Sequence, residues 1–299
     1  MIVELTRPLD LGPHQQAQLE LHSFLNVLNV LSGDLLLFHD TLGSQPFEAS
    51  LEQCYIIGET FQKQPSCSSL LDGFAQLRRQ FELDRSAAGS ALQPLFPEAQ
   101  QQFDNLLSVL SVLDARYAEM RSREQASGGW IEFDLLQLEQ EFRDFLGAVE
   151  KNALGRYHIV NNLARKQPRD YLVYLKFSAL QGSKLWMPAV LKDVMRDLLA
   201  NARKYTEPGG TLQVGLAEGP SSITLGVKDD GRGIPADQLE QVVEFGFRGR
   251  NVAAHETKGA GFGLTKAYWV CRQYGGRMWI ESEEGRGTTV RLEIPRRPS

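Results

Sequence analysis

Four short motifs between residues 193 and 288 constrain the fold of this chain more than any other feature of its sequence. In chain order they are Asp197-Leu-Leu-Ala-Asn201-Ala-Arg-Lys204-Tyr205, Asp229-Asp-Gly231-Arg-Gly233, Gly259-Ala-Gly261-Phe-Gly263-Leu264 and Gly285-Arg-Gly287-Thr288. One glycine motif by itself is usually an ordinary turn. Four such pieces in this order, tens of residues apart, indicate parts of one folded binding site.

The first motif places three polar side chains on one face of a predicted helix. Asp197 and Asn201 are four residues apart, and Lys204 lies one turn further on. An amide oxygen is a suitable hard ligand for Mg²⁺, which proteins usually hold with one or two side chains and the phosphates of a nucleotide. Lys204 can meet a phosphate as a point charge. The motif therefore predicts a site for a metal-bound nucleotide.

The later motifs supply a hydrogen-bond acceptor and glycine turns. Asp229 follows a predicted strand, and its carboxylate can accept hydrogen bonds from an amino group such as that of adenine. Gly231 and Gly233 allow a sharp turn and a close approach to a ligand. The three glycines of the third motif lead directly into an apolar helix predicted over 264–274. A glycine-rich turn at a helix N-terminus is a ready anion site.

The C-terminal half resembles the ATP-binding catalytic domain of histidine kinases, a fold shared with gyrase and heat-shock chaperone ATPases. The resemblance rests on an N box at 197–206, glycine boxes at 229–235 and 259–264, a phenylalanine box at 245–250 and a late Gly-x-Gly-Thr element at 285–288. It implies that the chain binds ATP and Mg²⁺, with Asn201 holding the metal and Asp229 holding the adenine amino group. It also makes residues 244–260 a lid over the phosphates.

The same resemblance assigns further residues to the nucleotide. The candidate phosphate contacts are Lys204, Arg248, Arg250 and Lys258, and the other motif residues expected there are Tyr205, Gly231, Gly233, Gly259, Gly261, Gly263, Leu264 and Thr288. Asp197 departs from the family pattern, because histidine kinases usually have Asn at this position and the gyrase and chaperone relatives have a water-activating Glu. Asp197 either assists proton removal or ATP hydrolysis, or is an exposed helix residue without a catalytic role.

Two heptad patterns in the N-terminal part predict helices that pack along a seam. The first, over 14–41, is formed by Leu21, Phe24, Leu28, Leu31, Leu35, Phe38 and Leu42, and the second, over 98–125, by Phe103, Leu106, Leu110, Leu113, Tyr117 and Met120. A strict seven-residue repeat is typical of coiled coils and bundles. We expect each seam to be partly exposed in a monomer, so that a homodimer closing a four-helix bundle would bury it. The resemblance to histidine kinases implies the same dimer.

His22 flanks the first seam. The run from His22 to Gly33, with Asn26 four residues after the histidine, resembles the phosphoacceptor H box of sporulation phosphotransferases and citrate-sensor kinases. His22 and Asn26 share an exposed helix face, as a nucleophile and its neighbour must if a second protein is to reach them. Those families usually carry an acidic residue where this chain has Ser23. The alternative is a solvated surface histidine. His14 lacks the surrounding pattern.

The predicted fold is α+β. A helical hairpin over 1–128 dimerises as a four-helix bundle, and an α/β sandwich of the histidine kinase and gyrase type occupies 129–299, after a Ser-Gly-Gly break. Residues 1–12 are predicted as an irregular lead and 43–97 as a helical insertion, with helices near 47–62 and 68–85. Strands are predicted at 171–177 and 184–187 around one turn, and as two further pairs, 211–217 with 222–227 and 277–283 with 288–294.

Composition limits the remaining function classes. The net charge of −5 gives no reason to expect nucleic-acid binding. The three cysteines, Cys54, Cys67 and Cys271, lack metal-ligand spacing and indicate reduced thiols in a cytosolic protein. Polar residues interrupt the most apolar window, 19–38, so the sequence predicts no membrane span and no signal peptide. A soluble, cytoplasmic protein is expected.

These observations favour an ATP-dependent protein histidine kinase. It would autophosphorylate on His22 and pass the phosphoryl group to an aspartate of a response-regulator receiver domain on a separate polypeptide. Two alternatives stay open: a phosphotransferase or phosphatase scaffold with weak ATP binding, and a dimeric ATPase in which Asp197 activates water. The input signal could enter through the insertion or through a separate sensor protein.

Overall fold

The chain folds into two compact units. The computed structural model describes residues 1–89, 95–125, 129–151, 155–250 and 261–296. One unit comprises Leu11–Ala126, and the other comprises Met1–Asp10 together with Ser127–Ser299. The first ten residues therefore belong to the C-terminal unit, whereas the sequence prediction placed them in the helical domain. The chain passes between the two units twice, after Asp10 and before Ser127.

The helical unit consists of four described helices. They are α1 (Pro13–Leu42), α2 (Glu48–Lys63), α3 (Cys67–Ala88) and α4 (Pro97–Gln125). Helix α1 packs along α4, and α2 packs along α3. Gly43 ends α1 in the left-handed region at φ +62°, a conformation that favours glycine. Ser66 caps α3, because its side chain accepts a hydrogen bond from the amide of Ser69.

Helices α2 and α3 cover the heptad seams within one chain. One buried cluster contains residues of both the seam and the insertion, each at most 2% exposed: Leu21, Leu28, Leu35, Leu70 and Leu77. The ring of Phe24 meets that of Phe74 edge-on, with centroids 5.3 Å apart. The expectation that the seams stay partly exposed in a monomer is therefore wrong. The predicted insertion supplies the apolar surface that we had assigned to a second copy, and the homodimer itself stays a prediction.

Helix α1 has the length and apolar composition needed to cross a membrane, and it is the one such helix in the described part of the chain. A core helix can have the same length and composition. The buried leucines and phenylalanines of α1 belong to the core of the helical unit. The expected absence of a membrane span therefore stays a prediction.

The C-terminal unit is built on a mixed sheet. Its described strands are β1 (Ile2–Leu5), β2 (Trp130–Asp134), β3 (Ile159–Val160), β4 (Tyr171–Ser178), β5 (Lys184–Pro188), β6 (Thr211–Glu218), β7 (Ser222–Asp229), β8 (Arg277–Glu283) and β9 (Gly287–Pro295). The large sheet has the order β1-β8-β9-β7-β6-β4-β3, and β2 and β5 form a separate pair. The β3–β4 and β4–β6 contacts are parallel, and the others are antiparallel.

Three described helices of this unit pack on the sheet: α5 (Leu135–Lys151), α6 (Leu191–Tyr205) and α7 (Gly263–Gln273). Alternate residues of the central strands are buried, with Val214 of β6 opposite Val227 of β7. Val194, Leu198 and Leu199 give α6 a buried apolar face. The α+β prediction, with a helical part and a sheet covered by helices, is confirmed.

Two strand assignments differ from the sequence prediction. Residues 171–177 and 184–187 do not pair around one turn: β4 lies parallel to β6, with Val173 opposite Leu212, and β5 pairs with β2. The predicted irregular lead contains β1, which adds to the edge of β8 with Leu5 opposite Met278. The segment after β1 is fixed as well, because the Tyr268 hydroxyl donates to the carbonyl of Arg7 at 2.7 Å.

Candidate nucleotide site

Helix α6 and the start of α7 meet at Asn201. An ideal Cβ at Gly263 would lie 2.3 Å from Nδ2 of Asn201, so the glycine allows the first turn of α7 to contact that amide. Asp193, Asp197 and Asn201 are spaced four residues apart along α6 and share a face. The first and third sequence motifs are therefore joined by a direct contact, although 62 positions separate Asn201 from Gly263 in the chain.

Asp197 forms an ion pair that the sequence analysis missed. Its Oδ2 lies 2.7 Å from Nζ of Lys266, a side chain that is 1% exposed. The same ammonium lies 3.9 Å from Oδ2 of Asp193. The available signal was a lysine within the otherwise apolar start of α7, at Leu264-Thr-Lys266-Ala. Asp197 is thus neither an unengaged surface residue nor an isolated carboxylate.

Asp229 accepts two backbone hydrogen bonds at the end of β7. Its Oδ1 receives the amides of Gly231 at 2.9 Å and Thr288 at 3.2 Å. Burial raises the pKa of the Asp229 carboxyl to about 6, against the lowering effect of those two bonds. The second and fourth motifs therefore meet at this carboxylate. A buried carboxylate is a strong acceptor for a base amino group when it is ionised.

Glycines make this junction possible because other side chains would not fit. A Cβ at Gly231 would lie 2.4 Å from the carbonyl of Tyr205, and one at Gly287 would lie 2.1 Å from the carbonyl of Asp229. Gly233 has φ +65° and packs against the carbonyl of Glu283. The first glycine box is thus seated between the end of α6 and the β8–β9 turn.

Ser282 connects this turn to the glycine box, a role that the sequence did not indicate. Its hydroxyl accepts a hydrogen bond from the amide of Ile234 at 2.9 Å, and lies 2.9 Å from both the Gly287 carbonyl and the Thr288 hydroxyl. Ser282 is 5% exposed. We interpret it as a buried support for the position of Thr288 beside Asp229.

Positive side chains gather at the C-terminal end of α6. Burial lowers the pKa of Lys204, and the nearby cations Arg248 and Arg203 lower it further. The Lys204 ammonium lies 5.2 Å from the centre of the Tyr205 ring. Burial also raises the pKa of Tyr205, against the effect of Arg248. Like charges brought together in this way favour an anionic ligand.

The other predicted nucleotide contacts lie in the lid segment and in the second glycine box. The Arg250 guanidinium is largely exposed and pairs with Asp237 at 2.6 Å. Gly261 has φ +76°, and a Cβ there would lie 2.6 Å from the carbonyl of Phe247. Leu264 follows Gly263 in the first turn of α7. The predicted contacts Lys258 and Gly259 lie outside the described residues.

The site offers a protein ligand for a metal ion whose other ligands would come from a bound nucleotide and water. In the described ranges, no group of three or more His, Cys, Asp or Glu could hold a metal ion by itself. Asn201 offers an amide oxygen, so Mg²⁺ there would need phosphate oxygens and water as its other ligands. A cavity of about 630 Å³ beside the first glycine box, between Thr206 and Glu284, includes neither Asn201 nor Asp229.

His22 and Asn26 lie in the helical unit, on the same face of α1. The Asn26 amide nitrogen lies 2.9 Å from Nε2 of His22. His22 is half-buried and Asn26 is exposed.

Comparison with known proteins relates residues 188–298 to a family of ATPases. Residues 188–298 match the family described as histidine kinase-, DNA gyrase B- and HSP90-like ATPase. Sensor histidine kinase WalK of Bacillus subtilis is 32% identical over 107 residues, 35% of this chain and 18% of WalK. Adaptive-response sensory kinase SasA of Synechococcus elongatus is 35% identical over 109 residues, 36% of this chain and 28% of SasA.

Among solved structures, the catalytic domain of histidine kinase ThkA aligns with a TM-score of 0.41 at 20% identity, over 56% of this chain and 99% of that domain. The curated relatives are matched over less than a third of their own length. The matched family region, 188–298, contains the described motif residues from Asn201 to Thr288. This chain therefore carries, at residues 188–298, an ATPase domain of the histidine kinase, gyrase B and HSP90 family.

Proposed function

We propose that this chain is an ATP-dependent protein histidine kinase that phosphorylates itself on His22. The observation that carries the proposal is the convergence of four separate motifs on one site. Asn201 contacts Gly263, and Asp229 accepts the amides of Gly231 and Thr288. The sensor histidine kinases among the relatives support the same activity.

Different residues of the site would bind the base, the phosphates and the metal ion of the nucleotide. Asp229 would accept the adenine amino group, and Lys204 and Arg248 would meet the phosphates at the cationic end of α6. Asn201 would hold Mg²⁺, which neutralises phosphate charge when it is bound. The first turn of α7 adds amide donors at a helix N-terminus. These groups position the γ-phosphoryl and stabilise the charge that develops during transfer.

His22 would be the acceptor of the phosphoryl group. Its Nε2 lone pair forms the new N–P bond while the bond from the γ-phosphorus to the bridging oxygen of ADP breaks, and ADP leaves with that oxygen. The Asn26 amide contacts Nε2 of the ring at 2.9 Å. It would move aside from the nitrogen as transfer occurs. Asn26 is thus a neighbour that orients the nucleophile.

The partners follow from this reaction. The phosphoryl group would pass to an aspartate of a receiver domain on a separate response regulator, and the signal would enter through a separate sensor protein or through α2 and α3. We also propose a cytoplasmic homodimer. Because α2 and α3 cover the heptad seams, that dimer would use another surface of the helical unit.

One observation favours a second candidate, a phosphotransferase scaffold. The helical unit closes its core within one chain and presents His22 at its surface, so it could receive a phosphoryl group from another protein. Ser23, in place of the usual acidic neighbour, fits this reading. The pairing of Asp197 with Lys266 counts against the third reading, in which Asp197 activates water for ATP hydrolysis.

The experiment is incubation of the full chain with Mg²⁺ and γ-labelled ATP, beside three variants. We expect acid-labile, alkali-stable label that is lost in His22→Gln and in Asn201→Ala. His14→Gln, which alters another histidine of α1, is the matched control and should keep the label. Label that persists in His22→Gln would refute His22 as the acceptor. Absence of label in the wild-type protein would favour the scaffold.

A further inference from the structure

A buried ion pair joins α6 to α7 next to the proposed metal ligand. Lys266 lies one turn after Gly263, and none of the motifs that define the nucleotide site contains it. Its ammonium is 2.7 Å from Asp197 and 3.9 Å from Asp193, and the side chain is 1% exposed. An ammonium this well buried requires a carboxylate partner, since an unpaired buried charge is very costly.

The pair and the proposed metal ligand are held by the same two helices. Asp197 precedes Asn201 by one turn of α6, and Lys266 follows Gly263 by almost one turn of α7. Gly263 contacts the Asn201 amide while Lys266 contacts Asp197. Asp193 lies 3.7 Å from Arg196 as well, so the second carboxylate has its own cation. Two carboxylates and two cations therefore balance in this cluster.

We propose that Lys266 is a positioning residue that holds Asp197 as an internal counter-charge and keeps its carboxylate out of the metal site. The proposal rests on the nucleotide binding proposed above. Without Lys266, a free carboxylate one turn from Asn201 would repel the phosphates of a metal-free nucleotide and would attract Mg²⁺. With Lys266 in place, Asn201 is the ligand that α6 presents.

The test measures the affinity of the full chain for a fluorescent ATP analogue, once with saturating Mg²⁺ and once with EDTA. In EDTA we expect Lys266→Met to weaken binding about tenfold, because Asp197 is then an uncompensated negative charge. Asp197→Asn should strengthen metal-free binding severalfold, because the ammonium can then act on the phosphates. With Mg²⁺ the loss in Lys266→Met should shrink to less than about threefold, because the freed carboxylate assists the metal.

The double variant Lys266→Met with Asp197→Asn should return close to the wild-type Mg²⁺ dependence. Lys192→Met is the matched control, because Lys192 is also a buried lysine but lies in α6 and pairs with Glu141 of α5. It should leave the Mg²⁺ dependence unchanged. Melting curves check that each variant folds. If Lys266→Met does not fold, Asp197→Asn carries the test alone, since a purely structural role predicts weaker rather than stronger binding.

The outcomes separate the two proposals. Wild-type protein that binds no ATP analogue in either condition would overturn both the proposed function and the role of Lys266. Wild-type binding together with equal losses in both single variants, or with losses that Mg²⁺ does not change, would overturn the role of Lys266 and leave the proposed function standing.

Discussion

The buried carboxylate of Asp229 lowers the stability of the unliganded fold but favours binding of a ligand amino group. Its carboxyl is largely buried, and burial raises the pKa to about 6. In the unfolded chain the pKa of an aspartate is about 4. Above pH 6 both states hold an ionised Asp229, and the folded state then has the cost of a desolvated charge. This cost is useful if the carboxylate is to receive an amino group, because a ligand donor replaces the lost water.

Asp229→Asn is expected to stabilise the unliganded protein at pH 8. A raised pKa of about 6 means that the folded state binds its proton more tightly than the unfolded state does, so stability falls as pH rises from about 4 to 6. Asparagine removes this penalty, about 1–3 kcal/mol, and can still accept both backbone bonds. Urea unfolding at pH 8 and pH 4.5 would show the gain at pH 8 and its loss at pH 4.5. A variant less stable than wild type at pH 8 would contradict the prediction.

Gly263→Ala is expected to weaken Mg²⁺-ATP binding at least about tenfold with little loss of stability. The new Cβ would lie 2.3 Å from the Asn201 amide, which can rotate away because it is the end of a side chain. The metal ligand is then displaced, while alanine improves helix propensity by up to about 1 kcal/mol. Gly147→Ala in α5 is the matched control, because nothing lies within 4 Å of its added Cβ. Equal affinities for both variants would refute the role of Gly263.

At this scale the sequence predicted the residues of local motifs and missed those defined by tertiary contact. Asp229 and Gly231 are two positions apart, so their hydrogen bond was implicit in the motif. Lys266 and Asp197 are 69 positions apart, and Ser282 supports Ile234 from 48 positions away. Which side chains meet across such distances depends on how the helices and strands pack, and no local pattern encodes that.

At the scale of elements, helices were predicted well and short strands poorly. Helix α1 is 30 residues long and has a strict heptad from Leu21 to Leu42, a pattern that is independent of its partners. Strand β1 has four residues, and its partner β8 is about 270 positions away, so its backbone hydrogen bonds come from a distant part of the chain. The pairing of β4 with β6 was missed for the same reason, because proximity in sequence favoured a β4–β5 hairpin.

Leu5→Ala is expected to destabilise the C-terminal unit by about 2–3 kcal/mol, because Leu5 is 2% exposed and its loss leaves a cavity under the edge of the sheet. Amides of β8 should exchange faster with solvent, which hydrogen exchange would measure. Ile2→Ala is the matched control on the same strand, since Ile2 is 64% exposed. Unchanged exchange in β8 for Leu5→Ala would show that β1 does not stabilise the sheet.

At the scale of the whole molecule, the two units have separate cores. The helical unit has its own cluster of aromatic rings. The ring centroid of Phe47 lies 4.8 Å from that of Phe81 and 6.1 Å from those of Phe38 and Phe103. Phe47 lies in residues 43–97, the segment that the sequence predicted as a helical insertion without an assigned function. The structure makes that segment the part that completes the helical core, and a seven-residue pattern alone could not distinguish a partner within the chain from a second copy.

Phe47→Ala is expected to destabilise the helical unit by about 3–5 kcal/mol and to leave ATP binding by the C-terminal unit within about twofold of wild type. The large loss follows because Phe47 is 0% exposed and touches rings from three helices. Phe96→Ala is the matched control, since Phe96 is 48% exposed in the same unit and should change stability little. Thermal unfolding monitored at the helical unit, together with titration of a fluorescent ATP analogue, measures both effects. If Phe47→Ala abolished ATP binding while the C-terminal unit stayed folded, the nucleotide site would depend on the helical core, and the two units would act as one.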